Sequence, residues 1–273
     1  MPAAALWLAL AAAFGHAVWN MLLARARDPE AATAIAMVVG LALFALPAAV
    51  TWDVDISVWP YALTSSLFEL AYIALLAAAY RASELSLVYP LARGVAPVLV
   101  LLVGVAALGA ATSAAQVVGV CLVTAGVLFV RGLGRQPDRR GVAFGLAIAA
   151  CIAAYTLADN AGVERASPLA YLELVMVLPA LGYAAGVVAF RGTAAVRAEL
   201  NGSSLAAGVL ILLPFSLALA ALDLAPAAPV AAVRETSIVV AAALGALVLK
   251  ERVGFSRMAG AVLVAVGVAL VAL

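Results

Sequence analysis

Hydrophobic residues run along this chain in long stretches, without the alternation of a half-buried strand or the single apolar stripe of a surface helix. A helix rises about 1.5 Å per residue, so about 20 apolar residues cross the roughly 30 Å hydrocarbon layer of a bilayer. Lipid cannot satisfy backbone hydrogen bonds, which leaves helices as the spanning elements. The pattern predicts ten transmembrane helices, over residues 4–24, 31–50, 58–80, 86–108, 114–131, 141–160, 167–190, 203–222, 226–248 and 254–273.

Composition supports an integral membrane protein. The 273 residues are 68% hydrophobic and 11% charged, with a mean hydropathy of +1.20, whereas soluble domains are about 45–50% apolar. A net charge of +1 without a long basic run argues against a nucleic-acid partner. Cys121 and Cys151 lie in apolar stretches without a CxxC or Cys/His cluster, so we interpret them as core residues. We expect no metal and no cofactor.

The positions of the basic residues predict the orientation. Of the 15 Lys and Arg residues, 12 lie in or beside the odd-numbered links between spans, whereas the even links hold only Arg165. The positive-inside rule then places the odd links in the cytoplasm and both termini outside. The apolar N-terminus lacks the basic region of a signal peptide and is interpreted as the first span. A composition of 14 Arg to one Lys is typical of a high-GC bacterium, so we expect a multi-pass protein of the bacterial inner (plasma) membrane.

A shift of 141 residues aligns the two halves without a gap. It pairs Arg93 with Arg234 and three glycines with three others, namely Gly104 with Gly245, Gly119 with Gly260, and Gly126 with Gly267. Each half has five spans, so the second copy must cross the membrane upside down. We predict two inverted five-helix repeats, 1–131 and 141–273, joined by a basic cytoplasmic linker at 132–140. The glycines are interpreted as packing residues.

Three stretches resemble the EamA-type ten-helix members of the drug/metabolite transporter (DMT) superfamily: "AAAFGHAVWN", "YRASELSLVYPLARGVAPVLVLLVGVAALG" and "APVAAVRETSIVVAAALGALVLKERVGFSRMAGAVLVAVGVALV". The resemblance covers both halves. It implies a metabolite carrier, often an exporter, whose central cavity is shaped by the third, fourth, eighth and ninth helices and their neighbours. One departure is visible, because the Gly-Glu pair often found after the fourth helix is Gly109-Ala110 here. Glu251 keeps the charge after the ninth helix, where we interpret it as a helix-end charge.

Two arginines inside predicted spans require partners, because a charge at mid-membrane costs about 2.5–3.5 kcal/mol on insertion scales. Matching depths suggests Glu69 as the partner of Arg93, and Asp159 or Glu173 as that of Arg234. Glu235 is turned by about 100° from its neighbour Arg234 and is a poor partner within the same span. The arginines then either form structural ion pairs or attract a carboxylate or phosphate-like group in a cavity. The candidates for binding a coupling proton are Glu69, Asp159, Glu173 and Glu235.

Further polar residues share helix faces with these charges. His16, Trp19 and Asn20 lie on one face of the first helix, and Tyr155 lies one turn before Asp159 on the sixth. Pro90 and Pro97 bracket Arg93 and interrupt the hydrogen bonds of the fourth helix, which makes that helix a pointer to a site. The candidate substrate-binding residues are therefore Arg93, Arg234, Tyr89, His16, Trp19, Asn20 and Tyr155.

The expected function is secondary active transport of a small metabolite by alternating access, as a proton-coupled exporter. The alternative is a non-transporting membrane scaffold or complex subunit. An enzyme is not expected, because the single histidine and the lack of HExxH or a Cys/His cluster leave no catalytic residues to name. The expected partners are a small-molecule substrate and the lipid bilayer. Both a monomer and a homodimer fit the glycine stripes.

The charge count yields a topology prediction. A reporter fused after Leu273 should report an external C-terminus, and one inserted in the 132–140 linker should report the cytoplasm. A pair of compartment-specific reporters, one active only outside and one only inside, checks both sites. A cytoplasmic C-terminus would contradict the orientation.

Overall fold

The computed structural model describes residues 1–23, 26–83, 85–131, 139–249 and 254–273. Within them, eleven α-helices follow one another: α1 (Ala3–Leu23), α2 (Pro29–Val50), α3 (Trp59–Ala82), α4 (Leu85–Ala106), α5 (Ala114–Arg131), α6 (Arg139–Gly162), α7 (Pro168–Ala198), α8 (Gly202–Leu224), α9 (Ala227–Arg234), α10 (Thr236–Leu249) and α11 (Phe255–Ala272). A 3₁₀ turn, Ile56–Val58, precedes α3. The predicted all-α membrane fold is confirmed.

The helices fall on the ten predicted spans. Nine segments of the described chain are long and apolar enough to cross a bilayer, and Ala114–Val130 is a shorter apolar helix. Three boundaries differ from prediction. The span predicted over 226–248 is two helices, α9 and α10, which meet at Glu235. Helix α7 extends to Ala198 and kinks at Gly192, whose φ of 80° lies in the left-handed region that favours glycine. Helix α6 begins at Arg139, inside the predicted linker.

Local sequence explains where the helices of the membrane begin. Asp28 caps α2 by accepting hydrogen bonds from the backbone N–H groups of Glu30 and Ala31, while Pro29 occupies the first turn. Pro168 plays the same role at the start of α7. The first four N–H groups of a helix lack partners within it, and Asp28 satisfies two of them in α2. Pro168 has no N–H, so it removes one such donor from the first turn of α7.

Glycines bring α5 and α11 into close antiparallel contact. A Cβ atom at Gly119 would lie 2.6 Å from the carbonyl oxygen of Gly267, and one at Gly126 would lie 2.7 Å from that of Gly260. The helices therefore pack backbone against backbone, as small residues permit inside membranes. Gly104 makes no such close contact, since a Cβ atom there would lie 3.8 Å from its nearest neighbour, the Cβ atom of Ala110. The surroundings of Gly245 lie outside the described residues.

The α5–α11 contacts have the internal symmetry that is expected of two inverted copies. Gly119 faces Val271 and Gly260 faces Val130, and the 141-residue shift converts one contact into the other. Antiparallel packing between helices of equivalent number also fits copies of opposite orientation. The repeat organisation and its boundaries remain predictions. Residues 132–138 of the predicted linker, and Lys250 and Glu251, lie outside the described residues.

The glycine contacts predict an effect on stability. Gly126→Ala places a methyl group 2.7 Å from a backbone oxygen, and overpacking of this kind costs about 1–3 kcal/mol. Thermal unfolding of the detergent-solubilised protein should show the loss. Gly104→Ala is the matched control, since its methyl group meets ordinary van der Waals distances. Equal melting temperatures for the two variants would contradict the proposed role of the contact.

Candidate functional site

A cavity of about 590 Å³ lies at the centre of the helices. It is lined from six or more helices, and aromatic and aliphatic side chains form much of its wall. A few charged and polar groups converge on it, which is the usual character of a small-molecule site. The side chains that matter for the argument are His16, Trp19, Asn20, Glu69, Tyr72, Tyr89, Arg93, Tyr155, Phe215 and Arg234.

The cavity reaches the surface at the N-terminal end of α2 and the C-terminal part of α7. Asp28, Glu30 and Arg191 belong to its wall there. The side chains of Arg191 and Glu30 are 49% and 33% exposed, and an ion pair of 2.9 Å joins them across the mouth. The Asp28 backbone N–H also donates to a carboxylate oxygen of Glu199, at 3.1 Å. By the orientation predicted from the charges, this mouth faces the cytoplasm.

The opposite end of the molecule is held closed by the links α2–α3 and α6–α7. Val54 and Ala166 form an antiparallel β-bridge, in which Asp55 N–H donates to the Arg165 carbonyl and Ser167 N–H to the Asp53 carbonyl, both at 2.8 Å. Hydrogen bonds from Ser57 lower the pKa of the exposed Asp55 carboxyl, with the nearby Arg165 a smaller cause. Arg165 also stacks over the ring of Tyr61, at 4.4 Å from its centroid.

Arg93 pairs with Glu235 rather than with the predicted Glu69. Its Nε donates to Glu235 Oε2 at 3.0 Å, and its Nη2 donates to the Ser237 hydroxyl at 3.4 Å. The two charged side chains are 7% and 4% exposed, so the pair is nearly removed from solvent. Sequence analysis weighs Glu235 only against its neighbour Arg234. Depth permits the pair with Arg93, because Arg93 and Glu235 each lie eight residues, about 12 Å, from the starts of α4 and α9, which begin at opposite faces in the predicted topology.

The break between α9 and α10 occurs at this ion pair. Glu235 ends α9, and its N–H donates to the carbonyl of Ala232 at 3.2 Å instead of continuing the regular ladder. The Thr236 hydroxyl donates to the Val233 carbonyl at 2.8 Å, which satisfies one acceptor at the helix end. Discontinuous helices are tolerated at membrane depth where they line a cavity, and α9 does so through Arg234.

Arg234 and Glu69 both line the cavity without forming an ion pair within 4.0 Å to any residue that the structure describes. The predicted pairing of Arg234 with Asp159 or Glu173 is therefore wrong. Glu69 is 8% exposed and Arg234 is half-buried. Two opposite charges thus face one cavity without an ion-pair partner among the described residues, an arrangement that is costly unless water or a ligand solvates them.

Asp159 lies behind the cavity wall, in the closed half of the molecule. It is 1% exposed, and its Oδ1 accepts a hydrogen bond of 2.5 Å from the Ser65 hydroxyl. Its Oδ2 has no hydrogen-bond partner in the described part of the chain. The same is true of Oε1 of Glu173, a residue of α7.

The predicted cluster on α1 is brought together at the cavity. Trp19 Nε1 donates to His16 Nδ1 at 3.2 Å, and the Asn20 side chain donates to the His16 carbonyl at 2.7 Å. His16 Nδ1 therefore acts as an acceptor, which leaves Nε2 to carry the imidazole proton. On the other side, the rings of Tyr72 and Tyr155 meet edge to face with centroids 6.3 Å apart.

Sequence analysis missed Glu30, Arg191 and Tyr72, which also line the cavity. Tyr72 was predictable, because it lies three residues after Glu69 and therefore close to its helix face. Glu30 and Arg191 are 161 positions apart, and nothing in the sequence pattern predicts that the ends of α2 and α7 meet.

Comparison with known proteins agrees with the fold. The family model described as the EamA-like transporter family matches residues 139–273. Among solved structures, 26 chains match; one, titled "Crystal structure of protein", has a TM-score of 0.76 at 17% identity, over 98% of this chain and 95% of that one. Such a likeness shows the fold. No curated protein matches this sequence.

The chain thus belongs, through its second half, to the EamA-like transporter family of the DMT superfamily. It is a multi-pass membrane protein of the DMT transporter type. The resemblance noted in the sequence is confirmed.

Because Arg93 is paired with Glu235, we expect two arginine variants to differ strongly in their loss of stability. Arg93→Met leaves Glu235 buried without its partner, and loss of one member of a buried pair costs about 3–5 kcal/mol. Arg234→Met, the control, breaks no ion pair within the described residues and should cost far less. Thermal or denaturant unfolding in detergent measures both.

The double variant Arg93→Met/Glu235→Met should recover most of the loss, because both charges are then removed together. Equal destabilisation by Arg93→Met and Arg234→Met, or no recovery in the double variant, would contradict the assignment of the pair.

Proposed function

We propose that the protein is a secondary active transporter that carries a small metabolite across the plasma membrane by alternating access, as a proton-coupled exporter. The observation that carries the proposal is a central cavity that contains Arg234 and Glu69 without ion-pair partners in the described residues, reaches the surface at one end and is closed at the other. A site near the midplane between two halves is the arrangement that secondary transporters use.

Arg234 is the solute ligand in this proposal. A guanidinium group that faces a cavity without a counter-ion can offer two parallel N–H donors to a carboxylate or a phosphate-like group. Its position in the last turn of α9 holds it rigidly, because the adjacent Glu235 is fixed to α4 through Arg93. Trp19 and Tyr155 would contact the less polar part of the solute.

Arg93 has a different role from the one that its place in the sequence suggested. Its charge is neutralised by Glu235 at 3.0 Å, so little remains to attract an anion. It positions α9 and thereby Arg234. Only one of the two arginines related by the 141-residue shift therefore binds solute, and the two halves contribute differently to the site.

In alternating access, the open end of the cavity would close and the closed end would open. The β-bridge of Val54 with Ala166 must separate for a solute to leave on that side, while the ends of α2 and α7, already joined by the Glu30–Arg191 ion pair, close over the mouth. Gly192, next to Arg191, supplies a hinge within α7, since its positive φ already interrupts the helix. A mouth on the predicted cytoplasmic side suits the loading step of an exporter.

Ligand-induced stabilisation tests the proposed site. A solute that binds the folded protein raises its stability by about 2.7 kcal/mol at 100 times Kd, which a thermal-shift screen of a metabolite library detects. Arg234→Gln should weaken anionic hits about 10- to 150-fold, because a charge-assisted hydrogen bond contributes about 1.5–3 kcal/mol. Arg139→Gln, at the exposed start of α6, is the control and should bind as the wild type does.

Solute counterflow in liposomes then tests transport itself. The hits should exchange across the bilayer with the wild type and the Arg139→Gln protein, and at a strongly reduced rate with Arg234→Gln. Anionic hits that bind all three proteins alike would remove Arg234 from the site. A bound solute that the wild type does not exchange would favour the scaffold function instead.

A further inference from the structure

Two carboxyl groups connect the cavity to the closed half of the molecule. Helices α3 and α6 pack against each other, and each presents a polar residue one turn from an acid: Ser65 before Glu69, and Tyr155 before Asp159. Glu69 and Tyr155 line the cavity, while Ser65 and Asp159 lie behind its wall, joined by their 2.5 Å hydrogen bond. The polar path therefore runs from the cavity through Glu69 to Asp159, toward the side closed by the Val54–Ala166 bridge.

The charges around this path do not balance. Arg93 and Glu235 neutralise each other at 3.0 Å. Arg234 then supplies one positive charge against the two negative charges of Glu69 and Asp159, which are 8% and 1% exposed. An uncompensated charge at this depth is expensive, so one monovalent cation is required to restore neutrality.

A proton is the cation that this site can hold. Asp159 Oδ2 has no hydrogen-bond partner within the described residues, which is the state of an oxygen that can carry a proton of its own. A metal ion needs several oxygen ligands, but in the described structure the oxygens beside the Asp159 carboxyl are the hydroxyls of Ser65 and Tyr171. The described chain also contains no group of three or more His, Cys, Asp or Glu residues that could hold a metal.

Other ionisable groups face the acid pair from the surrounding helices and belong to its electrostatic environment. Helix α1 contributes His16, α3 Tyr72, α4 Tyr89 and Arg93, α6 Cys151 and Tyr155, α7 Tyr171 and Glu173, and the α9–α10 junction Arg234 and Glu235. Of these, only Arg234 carries a positive charge without a counter-ion in the described structure. The charge count of the pair therefore depends on Arg234.

Resting on the transport function proposed above, we propose that Glu69 and Asp159 form one proton-binding unit that shares a single proton and is the coupling-ion site. The cavity-facing Glu69 exchanges this proton with the solvent of the mouth. The buried Asp159 exchanges it with the opposite side when the bridge between the two links separates. Glu235 takes no part, because it is paired with Arg93 at 3.0 Å.

Infrared spectroscopy of the membrane-reconstituted protein tests the shared proton without any substrate. The carbonyl stretch of a protonated carboxyl group is resolved from that of a carboxylate, and a titration by buffer exchange records both. The proteins to compare are the wild type and the variants Glu69→Gln, Asp159→Asn and Arg234→Gln. Glu164→Gln is the control, since Glu164 is an exposed acid outside the pair.

Charge balance predicts a pattern that independent acids cannot produce. In Glu69→Gln, Asp159 alone balances Arg234, so the whole protonated-carboxyl signal of the pair is lost; Asp159→Asn should lose the same signal. Arg234→Gln should raise the signal from one carboxyl group to two, because both acids must then be neutralised. Glu164→Gln should leave the signal of the pair unchanged.

Several outcomes would overturn the proposal. Losses in Glu69→Gln and Asp159→Asn that are partial and add up would show two independent acids. A signal that neither variant changes would place the proton elsewhere. A signal that appears only after sodium is removed would assign the site to a metal cation. Unchanged melting temperatures verify that each variant is folded.

The result is separable from the transport proposal. If wild-type counterflow fails while the infrared pattern is as predicted, the acid pair is a proton site in a protein that does not transport the solutes tested. If counterflow succeeds while the pattern is not found, the protein is a transporter whose coupling ion does not bind at Glu69 and Asp159.

Discussion

A charged side chain inside a bilayer carries a large free-energy cost, and the structure depends on one ion pair that reduces this cost. Arg93 and Glu235 lie at mid-membrane depth, are almost fully buried, and are joined at 3.0 Å with Ser237 as a further acceptor. Such a pair contributes little net stability against an apolar core, but it leaves a large penalty if either member moves away. The pair therefore fixes α4 to the junction of α9 and α10. It also fixes where the span formed by α9 and α10 is broken.

The broken span determines what the cavity contains. Because Glu235 is committed to α4, Arg234 is left without an ion pair in the described structure and faces the cavity, where Glu69 also lacks one. The closed half is packed around buried hydroxyls and Asp159, and its links are bridged, so the cavity extends toward only one face. The place of Arg234 in the cavity wall thus depends on the Arg93–Glu235 pair, and the proposed transport cycle is a rearrangement around that pair.

The sequence predicted the all-helical membrane fold well, because twenty-residue apolar stretches leave no alternative in lipid. His16, Trp19, Asn20, Tyr89, Tyr155 and both arginines line one cavity in the structure, and their part in binding stays a prediction. The ion-pair partners were wrong. Depth along a helix is readable from sequence, but rotation about its axis is not, so matching depths suggested Glu69 for Arg93 and could not show that Glu235 faces it. The break at Glu235 and the Glu30–Arg191 contact arise from tertiary packing between distant segments, which no local pattern records.

The most direct test of this account is the reactivity of a single cysteine in the cavity wall toward a membrane-impermeant maleimide in oriented vesicles. Ala77→Cys lies in that wall, and Ser65→Cys lies in the closed half, both in a background without Cys121 and Cys151. The account predicts that Ala77→Cys is labelled from the side of the Glu30–Arg191 mouth only, that a transported solute slows the labelling, and that Ser65→Cys is protected. Labelling of Ala77→Cys from neither side, or of Ser65→Cys as fast as Ala77→Cys, would contradict a solvent-filled cavity with one open end.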